Sequence, residues 1–546
     1  MLAHLRRCAV SALGVVLLGV LLAVALLAPV NAASAASQTP EQIAINPNVA
    51  IGTCGRTIDL RSNIEQQTIE FAIRNNGKAP VTYFLLPIPA HKAQSVALVR
   101  AKQADETMLK VKQLGSSGVI GSVPAPATTH TQEIDALLAQ GVAIYKIDLA
   151  KPLAEDEQTT VETRIGFVHT MVALPAAIEQ ADPQFVEYHD YTKVPSLYPI
   201  RQQMTQIILP DGSEIESYRP RAGSTRRGKT ISYGPYDNTV PIIKAALAKA
   251  DELYIHFENN FPFATARSLV RDIEVSHWGD MMTFDENYYI EHTGAQLKGG
   301  FSRAHYQSRS IREAGRSSFR TLKARLPRES TGIYFRDAIG NISTSTIRYV
   351  DRLPPYDDYN PNALTAAVEL YASPRYPMFG GWKADLNIGY HVPAHVFLSH
   401  SVNDPSQFTL ELPFGSPFVD VPIDDYTLRV VLPEGATNIR WESPFEVESF
   451  SFSSHITYLD TTGRPVIEFK QKRIVPGHNQ PIRVTYSFSS IHLAREPGLL
   501  IAAIFAFLVA VMVYVRLDFS FNASTGTGAA AAAAQAAEAA DKRKSE

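Results

Sequence analysis

Between Leu499 and Val515 the chain runs LLIAAIFAFLVAVMVYV, seventeen residues with no charge and with Tyr514 as the one polar side chain. An α-helix of that length reaches about 25 Å at ~1.5 Å per residue, close to the hydrocarbon thickness of a thin bilayer. A soluble helix this long carries a polar face. The pattern therefore predicts a membrane-spanning helix over 497–519. Pro497-Gly498 would break the chain before it, Tyr514 would sit at an interface, and the stem of Arg516 can snorkel. Upstream the period changes to two. Ile58, Leu60 and Ile64 alternate with Asp59, Arg61 and Asn63, and Ile69, Phe71 and Ile73 with Glu70 and Arg74, up to a turn at Asn75-Asn76-Gly77. Ile482, Val484, Tyr486 and Phe488 alternate with Arg483, Thr485 and Ser487. Such alternation marks half-buried strands of antiparallel sheets, so the fold class is mainly β. Short helices are expected at 132–140 and 240–251. The Gly/Ser/Pro-rich stretch 115–131 reads as a mobile loop, 354–362 as a second loop, and 219–229 and 308–328 as solvated basic faces.

The chain also repeats itself. Arg56-Thr57-Ile58-Asp59-Leu60 is matched by Arg271-Asp272-Ile273-Glu274-Val275, Ile165-Gly166-Phe167 by Ile388-Gly389-Tyr390, and Ile208-Leu209-Pro210-Asp211-Gly212 by Val431-Leu432-Pro433-Glu434-Gly435. Order and offset are nearly constant. This predicts two tandem β-rich, antiparallel sandwich-like domains of related fold, at 49–262 and 263–496, followed by one transmembrane helix. Leu-Pro-Asp/Glu-Gly reads as a strand end and turn, with Gly at positive φ.

The N-terminus sets the topology. Arg6-Arg7 precede a long apolar run and small-x-small cleavage patterns near Ala32 and Ala35, a secretory signal peptide over 1–33 followed by a leader to 48. An uncleaved signal anchor is the alternative and leaves the same topology. Residues 49–496 are then lumenal, and the basic tail 520–546 is cytosolic, as the positive-inside bias expects. Once Cys8 leaves with the signal, Cys54 has no internal partner and reads as a buried, inert thiol. With 45% apolar residues, a chain this long builds a core without disulfide staples. A net charge of −3 leaves no electrostatic footprint for nucleic acid.

No catalytic motif survives inspection, and no catalytic, cofactor or metal residues are predicted. His256, His277, His292 and His305 are too widely spaced for a zinc set unless a hairpin brings two together. Asp285-Glu286 and Asp357-Asp358 read as solvated turn residues rather than a glycosidase pair. Asn341-Ile342-Ser343 is a lumenal acceptor that should carry the chain's only N-glycan. Asn522-Ala523-Ser524 lies past the anchor and should stay bare. Ala502, Ala506 and Ala510, four apart, line one face of the predicted helix and suit close docking against other membrane helices.

Several stretches together resemble a known family. They are Ile273–Gly279, His292–Ala295, Lys298–Arg303, Arg336–Ser345, Phe379–Lys383, Tyr458–Thr461 with Gly463–Val466, and Tyr514–Ser520, and they are similar to ribophorin I, the first subunit of the oligosaccharyltransferase complex. The likeness runs from about Arg56 to Ser520 and is densest in the second half. It implies a non-catalytic, structural and substrate-guiding subunit of the enzyme that moves a preassembled glycan from dolichyl diphosphate to Asn of N-x-S/T. It implies other subunits as partners, including a multi-span catalytic one, with the translocon and the nascent polypeptide as further candidates. The expected setting is the endoplasmic reticulum membrane, as a single-pass type I glycoprotein. Animal members continue past the anchor into a long helical extension, whereas about 30 residues follow Arg516 here. Lys542 and Lys544 resemble a dilysine retrieval signal. The alternatives are a single-pass adhesion or receptor-type binding protein and a lumenal hydrolase with an unrecognised site.

Overall fold

The structure, a computed structural model, describes residues 41–116, 118–122, 128–221, 223–242, 251–308, 317–351, 367–402, 404–457, 460–517 and 532–537. The signal peptide, the first part of the leader (34–40), most of the helix expected at 240–251, the 354–362 loop with Asp357-Asp358, Asn522, Lys542 and Lys544 lie outside them.

The described chain is mainly β. One eight-stranded sheet contains β1 (Val49–Asp59), β2 (Ile64–Asn75), β3 (Val96–Gln103), β4 (Met108–Leu109), β5 (Gln158–Val168), β6 (Ile200–Ile208), β7 (Thr225–Arg227) and β8 (Thr230–Thr239), in the order β7-β8-β6-β1-β2-β5-β3-β4. A second contains β9 (Ala264–Ser276), β10 (Met281–His292), β11 (Thr331–Asp337), β12 (Gly340–Asn341), β13 (Lys383–Pro393), β14 (Ile423–Val431), β15 (Ser449–His455) and β16 (Arg464–Ile474), in the order β15-β16-β14-β9-β10-β13-β11-β12. The second order is the first with every strand advanced by eight. The smaller sheets follow suit. Val81–Ile88, Ala143–Leu153 and Val111–Gln113 are arranged like Leu322–Pro327, Ala367–Ala372 and Thr346–Val350. The order Met171–Ala173, Phe185–Tyr191, Glu252–Glu258, Ile215–Tyr218 is matched by Leu398–His400, Gln407–Pro413, Pro481–Ser487, Thr437–Val447.

Two expectations change. The large sheets are mixed rather than purely antiparallel: β6 runs parallel to β1 and β14 to β9. A parallel neighbour needs a long connection, and here β2–β5 together with strands of the smaller sheets intervene between β1 and β6, as β10–β13 do between β9 and β14. The stretch 115–131 is also not simply a loop. Val119–Gly121 pairs with Thr437–Val447 as the outer strand of the second half's five-stranded sheet. Thr128–His130 pairs in parallel with Glu41–Ile43. The helix expected at 132–140 is present as Gln132–Ala139.

By compactness the chain separates into 1–43 with 126–131, and 44–125 with 132–546. Both sheet repeats belong to the latter unit. Its largest apolar cluster is built mainly from 264–488, and Ile64, Leu98 and Val168 of the first repeat pack into it. A second cluster around Ile58, Tyr188, Ile207, Tyr233 and Phe257 serves the first repeat. The alternation is clearest in β10, where Met282, Phe284, Tyr288 and Ile290 are buried while Thr283, Asn287 and Tyr289 face outward.

Candidate functional site: the membrane helix, its attachment and the acceptor asparagine

The apolar segment near the end of the chain forms the helix Arg495–Arg516, led by a 3₁₀ turn at Ser490–Ala494. Among the described residues this is the one helical segment long and apolar enough to cross a membrane. It begins two residues before the expected start. Pro497 and Gly498 therefore lie in its first turn rather than ahead of it. Proline is tolerated there because the first-turn N–H groups have no helical acceptor. Ala502, Ala506 and Ala510 lie along the helix, exposed like every residue of it from Gly498 on.

The first turn is tied to the β region by charges far apart in sequence. Arg464 on β16 bridges three carboxylates: Glu274 on β9, Asp460 at 3.3 Å and Glu496 in the helix at 3.2 Å. Glu496 also suits the positive end of the helix dipole. Arg495 approaches Glu434 at 3.7 Å. Glu434 accepts four hydrogen bonds, from the backbone N–H of Thr461 (2.9 Å) and Thr462 (2.7 Å) and from their hydroxyls (2.7 and 2.8 Å). Burial alone would raise its pKa, but these donors outweigh burial and hold it down at about 2. Gly435 follows at φ 89°, as the turn reading expects, and a Cβ there would meet the His492 ring at 2.7 Å. The exposed Trp278 donates its indole N–H to Leu493 O at 2.8 Å. Nothing in the local pattern around 434, 464 or 496 announces this joint. Trp278 was visible only as part of the Ile273–Gly279 resemblance.

Asn341 is exposed on the two-residue strand β12, directly opposite Arg336. Ile342 turns inward, 5% exposed, and its N–H donates to Phe335 O at 2.8 Å. The asparagine thus stands on solvent-facing backbone held from beneath by the core.

The histidines do not converge. His277 and His292 are at opposite ends of the β9–β10 hairpin. His277 stacks on Phe488 with ring centroids 4.5 Å apart and pairs with the Tyr486 hydroxyl at 2.9 Å. His292 is fully buried, its Nε2 donating to Ser317 O at 2.5 Å. His256 pairs with Leu174 O at 2.9 Å. No three His, Cys, Asp or Glu side chains among the described residues are grouped as a metal site. Cys54 is 3% exposed, and burial pushes its thiol up to about 12.

Glu286 corrects the solvated-turn expectation. It lies mid-strand in β10, 0% exposed, directly opposite Arg271 on β9, with Arg271 Nε 3.0 Å from its carboxylate. The hydroxyls of Tyr288 (2.5 Å) and Tyr390 (3.2 Å) donate to it. Burial opposes the charge on Arg271, but Glu286 and the neighbouring tyrosines hold its pKa well above the ordinary value. The first repeat holds its own set around Arg56. Lys92 Nζ reaches Glu65 at 2.6 Å and Asp190 at 2.8 Å, with the Tyr188 hydroxyl at 2.7 Å. Two cations face two carboxylates there. The adjoining cavity of about 20 Å³ has room for about one water and none for a substrate. Such balanced, hydrogen-bonded charges fix the pairing of strands and loops; they do not form a reaction site.

Fold and joint define a mainly β protein carried on one apolar helix long enough to span a bilayer. The chain belongs to the ribophorin I family, whose model it matches over residues 50–515. It is 35% identical over 469 residues to the rice protein named dolichyl-diphosphooligosaccharide–protein glycosyltransferase subunit 1B, covering 86% of this chain and 91% of that one. The Arabidopsis thaliana subunit 1B is 36% identical over 460 residues, covering 84% and 91%. The Caenorhabditis elegans subunit 1 is 32% identical over 462 residues, covering 84% and 71%. Among solved structures, leukotriene A4 hydrolase from Saccharomyces cerevisiae aligns over 41% of this chain and 29% of its own at 13% identity, with a TM-score of 0.22 that carries no argument.

Proposed function

We propose that this chain is a non-catalytic subunit of the oligosaccharyltransferase complex, contributing to N-glycosylation without transferring the glycan itself. The observation that carries the reading is the family match from 50 to 515, together with relatives named as subunit 1 that are covered almost end to end. The finer reading follows the charge pattern at the termini. The chain is a single-pass type I protein of the endoplasmic reticulum, with repeats at 49–262 and 263–496 in the lumen. Its membrane helix docks through Ala502, Ala506 and Ala510 against other subunits, including the multi-span catalytic one, with the translocon and nascent chains as neighbours. Lys542 and Lys544 serve retrieval. Asn341, exposed and lumenal on this reading, carries an N-glycan.

The test is affinity purification of the tagged chain from membranes in mild detergent. Transfer of glycan from a dolichyl-diphosphate donor to an N-x-T peptide should co-purify, and depletion of the chain from the membranes should lower it. Recovery of the chain at the cell surface without that activity would support the adhesion or receptor reading instead. Asn341→Gln should abolish the mobility shift produced by endoglycosidase. A persisting shift would place a glycan elsewhere and overturn the assignment.

A further inference from the structure

The outward face of the second large sheet carries an open groove of about 350 Å³, lined by Ser268, Asn287, Tyr289, Arg336, Asp385 and Asn387 among others. Its polar groups stand in register. Asn341 lies opposite Arg336, Arg336 opposite Asn387, and Asn387 opposite Asn287, across β12, β11, β13 and β10. Residues directly opposite in antiparallel strands share a face, so the Asn341 side chain emerges on the groove side. The hydrogen bonds agree: Arg336 Nε donates to Asn387 Oδ1 at 2.7 Å, and Asn387 Nδ2 donates to Asn287 Oδ1 at 2.8 Å and Asp285 Oδ1 at 2.6 Å. One row further on, Tyr289 faces Asp385 on one side and Ser268 on the other. Beyond the backbone ladder, the side chains of Tyr289 and Asp385 make no hydrogen bond or ion pair among the described residues. Four strands at ~4.8 Å spacing extend about 14 Å from Asn341 to Asn287, the reach of a short oligosaccharide.

We propose that this groove is a carbohydrate site, and that its occupant is the glycan attached to Asn341 of the same chain. The chemistry matches a sugar. Pyranose rings present apolar C–H faces that sit against a half-exposed aromatic ring, and hydroxyl rims that need both donors and acceptors. Tyr289 supplies the ring, and the amides, Arg336 and Asp385 supply the rim. The amide row is already held in place by its own hydrogen bonds, so little ordering is required on binding. Covalent attachment at one end raises the local concentration of the sugar. A glycan laid along this row would shield the polar face of the sheet and stiffen the short β11–β12 hairpin.

The inference rests on the glycosylation of Asn341 proposed above, and the experiment separates the two. The full chain is purified in detergent, the peptide containing Asn341 is weighed by mass spectrometry, and release of its glycan by peptide N-glycosidase is timed without denaturation. Release from the native chain should be slow, and Tyr289→Ala should speed it about tenfold, the fold-change of a contact worth ~1.4 kcal/mol. Asp385→Ala, at an exposed position, should act in the same direction and guards against a folding defect in the first variant. If the glycan is present and both variants release it at the wild-type rate, the groove is not its seat, while glycosylation stands. If Asn341 is unmodified, both readings fall.

Discussion

The Arg271–Glu286 pair is a residue-scale feature with a large energetic stake. Desolvating two charges costs several kcal/mol per ion, and their attraction offsets this only while both are present. Arg271→Met alone leaves Glu286 buried without its cation and is expected to lower stability by ~3–5 kcal/mol. Arg271→Met with Glu286→Leu should recover most of that loss. Denaturant unfolding of the two variants checks this, and a single variant that unfolds like the parent would show that the pair contributes nothing. Glu434 makes a pH prediction. Its folded pKa, about 2, lies below the ordinary 4.5, so it stabilises the fold above 4.5 and loses that contribution as the pH falls from 4.5 through 2. Glu434→Gln should flatten the acid limb of the unfolding midpoint within that window and leave the slope near neutrality unchanged. An unaltered acid limb would mean that the threonine donors do not discriminate the charged form.

At the scale of elements, the terminal helix and its joint divide the labour. Exposed ion pairs add little stability individually, but the half-buried Arg464 contacts three carboxylates from three segments, and such a network sets direction better than it adds energy. It ties the first turn of the helix to the β region. If the Ala502, Ala506 and Ala510 face is the docking face proposed above, it sets how closely a neighbouring membrane helix can approach. Ala506→Leu should weaken co-purification of the partner subunits, at a cost of ~1–3 kcal/mol if the contact is packed like a core, with insertion into the membrane unaffected because leucine inserts well. Native electrophoresis reads this. Unchanged assembly in Ala506→Leu with disruption in Phe505→Ala would place the contact on the other face. The apolar helix was legible because seventeen uncharged residues have few other uses. The joint was not, because Glu274, Glu434, Arg464 and Glu496 look like ordinary surface charges until the sheet brings them together.

At the scale of the molecule, the doubled strand order shows what pattern reading can and cannot reach. Period-two alternation located strands such as 64–75 and 481–487, and the Leu-Pro-Asp/Glu-Gly matches marked true turns, with Gly212 and Gly435 at positive φ. The parallel neighbours escaped it because β1 and β6 are separated by about 140 residues, and alternation within a strand says nothing about which strand lies beside it. Glu286 was misread for a related reason: next to Asp285 it looks like a turn, and only its register with Arg271 shows it facing inward. The candidate site was legible at Asn341, where a sequon carries its own chemistry, and not at the groove beside it, which four strands assemble. One irregularity of the doubling among the described residues is the loan of Val119–Gly121 from the first repeat to the sheet of the second. Glu446 reinforces the loan by accepting the Gln113 N–H at 3.1 Å and the Ser116 hydroxyl at 2.6 Å. It works as a clasp: the second repeat completes its sheet only when the first is already in place. A fragment starting at 263 would be born with a bare strand edge at Thr437–Val447, the kind of edge that seeks other chains. Such a fragment should aggregate when expressed alone and dissolve when 44–262 is supplied in trans. During synthesis, the order in which the halves emerge then becomes part of how the protein avoids sticking to itself.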